Sequence, residues 1–195
     1  METLVQPLSV RDVAFRAIGR NMVNFQKLEK CLKALVRLEY LAAPMSTIKD
    51  ALVKRKSKAS GYTLGKALQE WLRVAALDAP RSATQDLFEP WISLSFLPSI
   101  DRERLAEHGE ALNALAKERN NLVHQDLANF DFDSAEGCQT LVERLDKQNA
   151  RILEQLNFLA PAIRDLVALK EWTMRPEFQD ELFNEFLRQR SHDET

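Results

Sequence analysis

The sequence predicts an all-α protein, a bundle of long helices. Only 5 glycines occur in 195 residues. Apolar residues recur at helical spacing over long stretches, and the β-branched alternation that marks strands is nearly absent. With 45% hydrophobic residues, the chain can build one sizeable core and is short for two. Residues 1–195 are therefore expected to form a single domain.

Each element has its own signal. Ser9 and Asp12 have the spacing of a capping box and open a helix whose Ile18, Met22, Phe25, Leu28, Leu32 and Leu35 share one face, up to Ala43-Pro44. Ser46 is placed to cap a short helix that fades in "KRKSKASG", Lys54 to Gly61, and another runs from Tyr62 to about Ala76. "DAPRSATQDLFEP", Asp78 to Pro90, is rich in breakers and reads as a joint. "WISLSFLP", Trp91 to Pro98, is the one alternating apolar run. A strand needs a partner and none is visible, so irregular or helical packing is expected there. A helix should start near Ser99 and end about Gln125 or Asp126. "NFDFDSAEG" makes the next turn, with Asp133 and Glu136 as a second capping box. Leu141, Leu145, Ile152, Leu156, Leu159, Ile163 and Leu166 then continue one long amphipathic helix, with Pro161 the place where a kink would form. A last helix, Glu177 to about Gln189, leads into the polar tail "RSHDET".

Composition narrows the function classes. A formal net charge of −2 gives no general attraction to nucleic acid or anionic membrane, so phosphate contacts require a local patch. Cys31 and Cys138 are too few and too far apart for a disulfide framework or a Cys-rich metal site. A reducing cytoplasm is the expected compartment. The opening "METLVQPLSVRDVAF" has no basic stretch followed by an apolar run, and no segment approaches the roughly 20 apolar residues of a membrane span. Neither export nor membrane insertion is expected.

The residues that carry chemistry lie in "LAKERNNLVHQDL", Leu115 to Leu127. A helix through this stretch gathers Leu105, Leu112, Ala116 and Val123 into one stripe flanked by Leu115 and Leu122, and Arg119 falls inside that stripe. No acid lies three or four residues from Arg119 on its own face. An unpaired guanidinium in an apolar interface is costly, so it should meet a groove, a second chain or an anion. Its paired N–H donors suit a phosphate. His124 projects from the margin of the stripe, on the side shared by Asn113, Lys117 and Asn120. Arginine, amide and imidazole together can stabilise charge in phosphoryl transfer and move a proton near neutral pH. No carboxylate cluster or second histidine stands at metal-ligand spacing, so no metal and no cofactor is expected.

The hexapeptide "RNNLVH", Arg119 to His124, resembles the motif of HEPN-domain ribonucleases: arginine, a polar residue, a short spacer ending in apolar residues, then histidine. The long first helix, with "GRNMVNFQKLEKCLKAL" from Gly19 to Leu35, is similar to the opening helix of such domains. The resemblance covers residues 10–43 and 99–172, with 44–98 as an insertion. It implies metal-independent RNA cleavage in a cleft between two protomers, by a toxin or antiphage defence effector that an antitoxin or regulatory protein restrains. His124 would exchange the proton, Arg119 would stabilise the phosphorane-like charge, and Asn120 would assist positioning. A homodimer is reasonable on chemical grounds too. In-line attack by a ribose 2′-hydroxyl calls for a base and an acid on opposite sides, and each motif supplies one histidine. Some toxin members carry a modifiable tyrosine two residues after the histidine, whereas this chain has Asp126.

A second feature is "KRKSK", Lys54 to Lys58, where Lys54, Arg55, Lys56 and Lys58 can grip an RNA backbone. With Lys117 they are the candidate substrate-binding residues, and Tyr62 or Trp71 could stack on a base. The plainer reading is a solvated loop, with Trp71 in the core at helical spacing from Leu64, Leu68 and Ala75. A second function class also fits the sequence: a catalytically inactive helical module that uses the same apolar face for dimerisation or regulation.

Overall fold

The computed structural model describes residues 8–38, 40–44, 47–75, 91–95 and 102–173, with 175 and 177. Its class is all-α, and its described helices are α1 (Val10–Leu38), α2 (Ile48–Ser60), α3 (Leu64–Ala75), α4 (Arg102–Asn121) and α5 (Ala135–Thr173). The Ser9/Asp12 box opens α1 in reciprocal fashion. Asp12 N–H donates to Ser9 Oγ at 3.1 Å, and Ser9 N–H donates to Asp12 Oδ2 at 3.3 Å. The joint at 78–90, the cap at Ser46 and the helix expected beyond residue 177 lie outside the described residues.

Three expectations need correction. The first helix stops at Leu38, short of Ala43-Pro44, because the chain there becomes a strand, β1 (Tyr40–Pro44). Its partner is the run expected to lack one: β2 (Trp91–Ser95) pairs antiparallel with β1, Tyr40 opposite Ser95 and Pro44 opposite Trp91. Pro44, which has no N–H to give the ladder, sits at the end of the ribbon, a place where proline is tolerated. The third correction concerns the start of α5. Ser134, not Asp133, caps it: Gly137 N–H donates to Ser134 Oγ at 3.0 Å. Asp133 instead gives its N–H to Asp131 Oδ1 and its carboxylate to Arg11, at 2.9 and 3.0 Å.

Side-chain pairs give the directions of the long helices. Arg11 meets Asp133, Arg20 meets Asp146 and Asn24 meets Asn149, so α1 runs parallel to α5. His108 meets Gln155, Glu118 meets Arg151 and Asp126 meets Arg144, so α4 runs antiparallel to α5. α3 completes the packing against α1 and α4. Gly109 of α4 makes that approach close, since a Cβ there would stand 3.0 Å from Leu72 Cδ2.

Two apolar clusters hold these elements. The larger joins Phe25, Leu28, Leu32 and Leu35 of α1 to Leu68 and Trp71 of α3, Leu112 and Leu115 of α4, and Ile152 and Leu159 of α5. Trp71 is 1% exposed and meets the Phe158 ring edge-on at 6.3 Å. The 44–98 segment thus contributes to the same core as the rest of the chain. The smaller cluster is Ala17, Leu122, Leu141 and Leu145, bordered by Leu127, Phe130 and Phe132. Each fully buried leucine in these clusters is worth about 1.5–3 kcal/mol.

Between the clusters lies a polar layer. Asn21, completely buried, donates to the Leu145 carbonyl at 2.8 Å and to Gln148 Oε1 at 3.0 Å. Gln148 donates onward to Glu118 Oε2 at 3.0 Å, and Arg151 grips both Glu118 oxygens at 2.7 Å. A one-turn slip of α1 or α4 along α5 would orphan these buried groups at about 1–3 kcal/mol each, so the layer fixes the register of the three long helices.

Candidate active site

The motif straddles the end of α4 and a single wide turn. As expected, Leu105, Leu112, Leu115 and Ala116 are buried on one face of α4. Beyond Asn121 the ladder changes: residues Leu122–Asp126 form a π-helical turn in which Leu127 N–H donates to the carbonyl of Leu122, five residues back. The turn is held at both ends. Leu122 is 2% exposed in the smaller cluster, and Asp126 is paired with Arg144 of α5 at 2.8 Å. Val123, expected in the stripe, is only partly buried, as the wider turn changes the register of faces. In an α-helix residues five apart are offset by about 140°, whereas in a ladder that pairs residues five apart they come nearly into line. The residues brought into line in this way are Leu122 and Leu127, within the turn itself. Wide turns of this kind are frequent at functional sites.

Arg119 lies between the two apolar clusters, next in sequence to the polar layer's Glu118, and is half-buried. Its Nη1 donates to Asn120 Oδ1 at 3.0 Å, and no carboxylate pairs with it among the described residues. A fixed cation with a neutral amide as its partner keeps its charge unneutralised and its remaining N–H donors available. His124 is exposed and makes no hydrogen bond or ion pair with the described residues. Lys117 and Asn120 are also exposed, on the side of α4 shared with His124. The structure thus brings Arg119 and Asn120 into direct contact and leaves the imidazole open to solvent or to a second molecule.

Glu118 adjoins Arg119 in sequence but is not on its face of the helix. In the fold it anchors α4 to α5. Burial raises its carboxyl pKa, but hydrogen bonds from Arg151 and Gln148 and the charges of Arg151 and Arg144 outweigh that, holding it below the ordinary 4.5. Only knowledge of the α5 register could have revealed this role.

Another histidine, His108 of α4, lies sixteen residues before His124. His108 stacks on Phe158 with ring centroids 3.6 Å apart, and its Nδ1 lies 2.9 Å from Gln155 Oε1. Neither cysteine is a nucleophile in the making: Cys138 is buried, and burial pushes the Cys31 thiol up against the opposing pull of Lys30.

No family model, curated protein or solved structure matches this chain.

Beside the π turn is a cavity of about 590 Å³ between the α4–α5 connection and the start of α5. Its charged lining is Asp126, Asp131, Glu136 and Arg144. Three carboxylates against one guanidinium make it unsuited to a phosphate, and neither Arg119 nor His124 lines it. The basic run falls inside α2, not in a loop. There Arg55 and Lys58 line a second cavity, whereas Lys54 and Lys56 are exposed outside that lining. Among the described residues no group of three His, Cys, Asp or Glu side chains is disposed to hold a metal ion. No described helix is long and apolar enough to cross a membrane.

Proposed function

We propose that the chain is a metal-independent endoribonuclease of HEPN type, acting as a homodimer in the cytoplasm as a toxin or antiphage defence effector under the restraint of an antitoxin or regulatory protein. The observation that carries this reading is the half-buried Arg119 guanidinium, tied to the neutral Asn120 amide and to no carboxylate among the described residues, and followed by an exposed His124 on a π turn. A structural arginine at a helix flank would be expected to pair with an acid, as Arg144, Arg151 and Arg11 do here.

The chemistry follows from those groups. The 2′-hydroxyl of one nucleotide attacks its own 3′-phosphorus while a neutral His124 takes the hydroxyl proton. The bond from phosphorus to the next nucleotide's 5′-oxygen breaks, and that oxygen receives a proton from the protonated His124 of the second protomer. A 2′,3′-cyclic phosphate and a 5′-hydroxyl remain. Arg119 offsets the negative charge that builds on the non-bridging oxygens in the transition state, an interaction stronger there than in the ground state. Asn120 holds the guanidinium in place.

Expression of the wild-type chain against His124→Ala, with growth and total RNA integrity followed together, tests the reading. Growth arrest with RNA fragmentation from wild type alone supports it. Equal effects from both proteins would favour the non-catalytic interaction module.

A further inference from the structure

The outward face of α1 carries a feature that the chemistry at His124 does not use. Phe15, Ile18 and Met22 stand at i, i+3 and i+7 with Gly19 at i+4, so the four enclose one hole on the helix surface, and Val23 extends it. Phe15 is 46% exposed and Val23 50%. The patch is preformed. The Phe15 ring stacks on Phe132 at 4.7 Å with Arg11 5.7 Å from its centroid, and Ile18 packs on the smaller apolar cluster. Glycine is among the poorest helix formers, and no described residue requires one here, since a Cβ at Gly19 would meet nothing within 4 Å outside its own helix. Scattered exposed apolar side chains need no explanation, whereas these surround a backbone left bare in the middle of a 29-residue helix.

Charge on the same helix is one-sided. α1 carries seven Arg or Lys and two acids, in a chain of net charge −2. Both acids are engaged within α1, Asp12 with Ser9 and Glu29 with Lys33. Arg16, Lys27 and Lys30 lie seven before, four after and seven after Val23, so they form a row alongside the patch. Among the described residues Arg16 and Lys30 have no hydrogen bond or ion pair, and Lys27 meets the neutral Asn24 amide at 3.3 Å and no carboxylate.

We propose that this face seats an acidic amphipathic helix of a partner protein, with one apolar side chain set as a knob into the hole over Gly19 and carboxylates against Arg16, Lys27 and Lys30. The bare backbone at Gly19 lets a second helix axis come within the roughly 8–10 Å of packed helices. A second copy of α1 would set like charge against like. An RNA strand would find phosphate partners in the cations but no hydrogen-bonding groups in Ile18, Met22 and Val23. The proposal is independent of the ribonuclease reading.

Binding is measured on the full-length protein with two labelled helical peptides of about 20 residues. Both carry the same leucine stripe at spacings of three and four, one flanked by glutamate and the other by lysine. The glutamate peptide should bind more tightly than the lysine peptide by about tenfold or more. Gly19→Leu should weaken it by about tenfold or more while raising Tm, because leucine is the better helix former and Gly19 faces open space. Arg16→Glu with Lys30→Glu should reverse the preference between the peptides. Arg104→Glu with Arg164→Glu, an equal change of charge at exposed positions elsewhere, should change binding by about twofold or less. Equal binding of the two peptides, binding unmoved by Gly19→Leu, equal effects of the two double variants, or no binding of the glutamate peptide at about 1 mM would overturn the proposal. If Gly19→Leu instead abolishes self-association, or binding of a short single-stranded RNA or of phosphatidylglycerol vesicles, the face belongs to a second copy, a strand or a bilayer, and the proposal falls. RNA cleavage, present or absent, bears only on His124, so the two proposals fail separately.

Discussion

An arginine placed where a leucine is expected needs an anion or a partner, and among the described residues Arg119 meets an amide and no carboxylate. Arg119→Ala should therefore lower the RNA cleavage rate by a factor comparable to loss of the histidine, about 10²–10⁴-fold, while circular dichroism shows an unchanged helical fold. Arg119→Lys should restore little, because a point charge does not reproduce paired planar donors. Its neighbour Glu118 governs stability instead. The Glu118 carboxyl is held below 4.5 in the fold, so it contributes stability above its unfolded value, and that contribution is lost as pH falls through the lower folded value. The wild-type advantage over Glu118→Gln should be about 1 kcal/mol or less at neutral pH, given the partial exposure of the Arg151 pair. It should vanish well below pH 4.5, and thermal melts at a series of pH values read it. A gap that widens on acidification would contradict the assignment. Arg119 and His124 stood out in the sequence because a charge interrupted a stripe. Glu118 did not, because its partners come from a helix thirty residues on.

Among the elements, periodicity made the long helices legible: most stripe residues of α1, α4 and α5 named from spacing are buried, with Ile18, Met22, Val123, Leu156 and Ile163 partly so. What it could not reveal was non-local or sub-turn. The β1–β2 ribbon joins segments about fifty residues apart, so neither strand carries a local sign of its partner. The π turn adds one residue to a ladder whose side chains still look helical in sequence. At the start of α5, "FDSAEG" offers two adjacent capping residues, and Asp133 is drawn off by Arg11, leaving the cap to Ser134. Ser134→Ala should accordingly lower stability by about 0.5–2 kcal/mol in urea denaturation, and Asp133→Ala by less, its exposed ion pair being worth little. The reverse order would restore the Asp133 cap. In the polar layer, Asn21→Leu should cost about 1–3 kcal/mol, since it leaves Gln148 Oε1 buried and unpaired.

For the whole molecule, the helical class and the main core were readable from composition and spacing, and the single histidine of the motif is what leads to the proposal of a second chain. An active particle should be a symmetric homodimer, with the 119–124 segment at the shared cleft. Light scattering at micromolar concentration should give twice the 22.4 kDa chain mass, and a clean monomer would count against the composite site. The most direct measurement is RNA cleavage by purified wild-type and His124→Ala proteins in excess EDTA, with the product ends identified. The account predicts that wild type cuts in chelator and leaves 2′,3′-cyclic phosphate ends, and that His124→Ala is slower by about 10²–10⁴-fold. Equal rates for the two proteins, or activity that disappears with chelation and returns with magnesium, would contradict it.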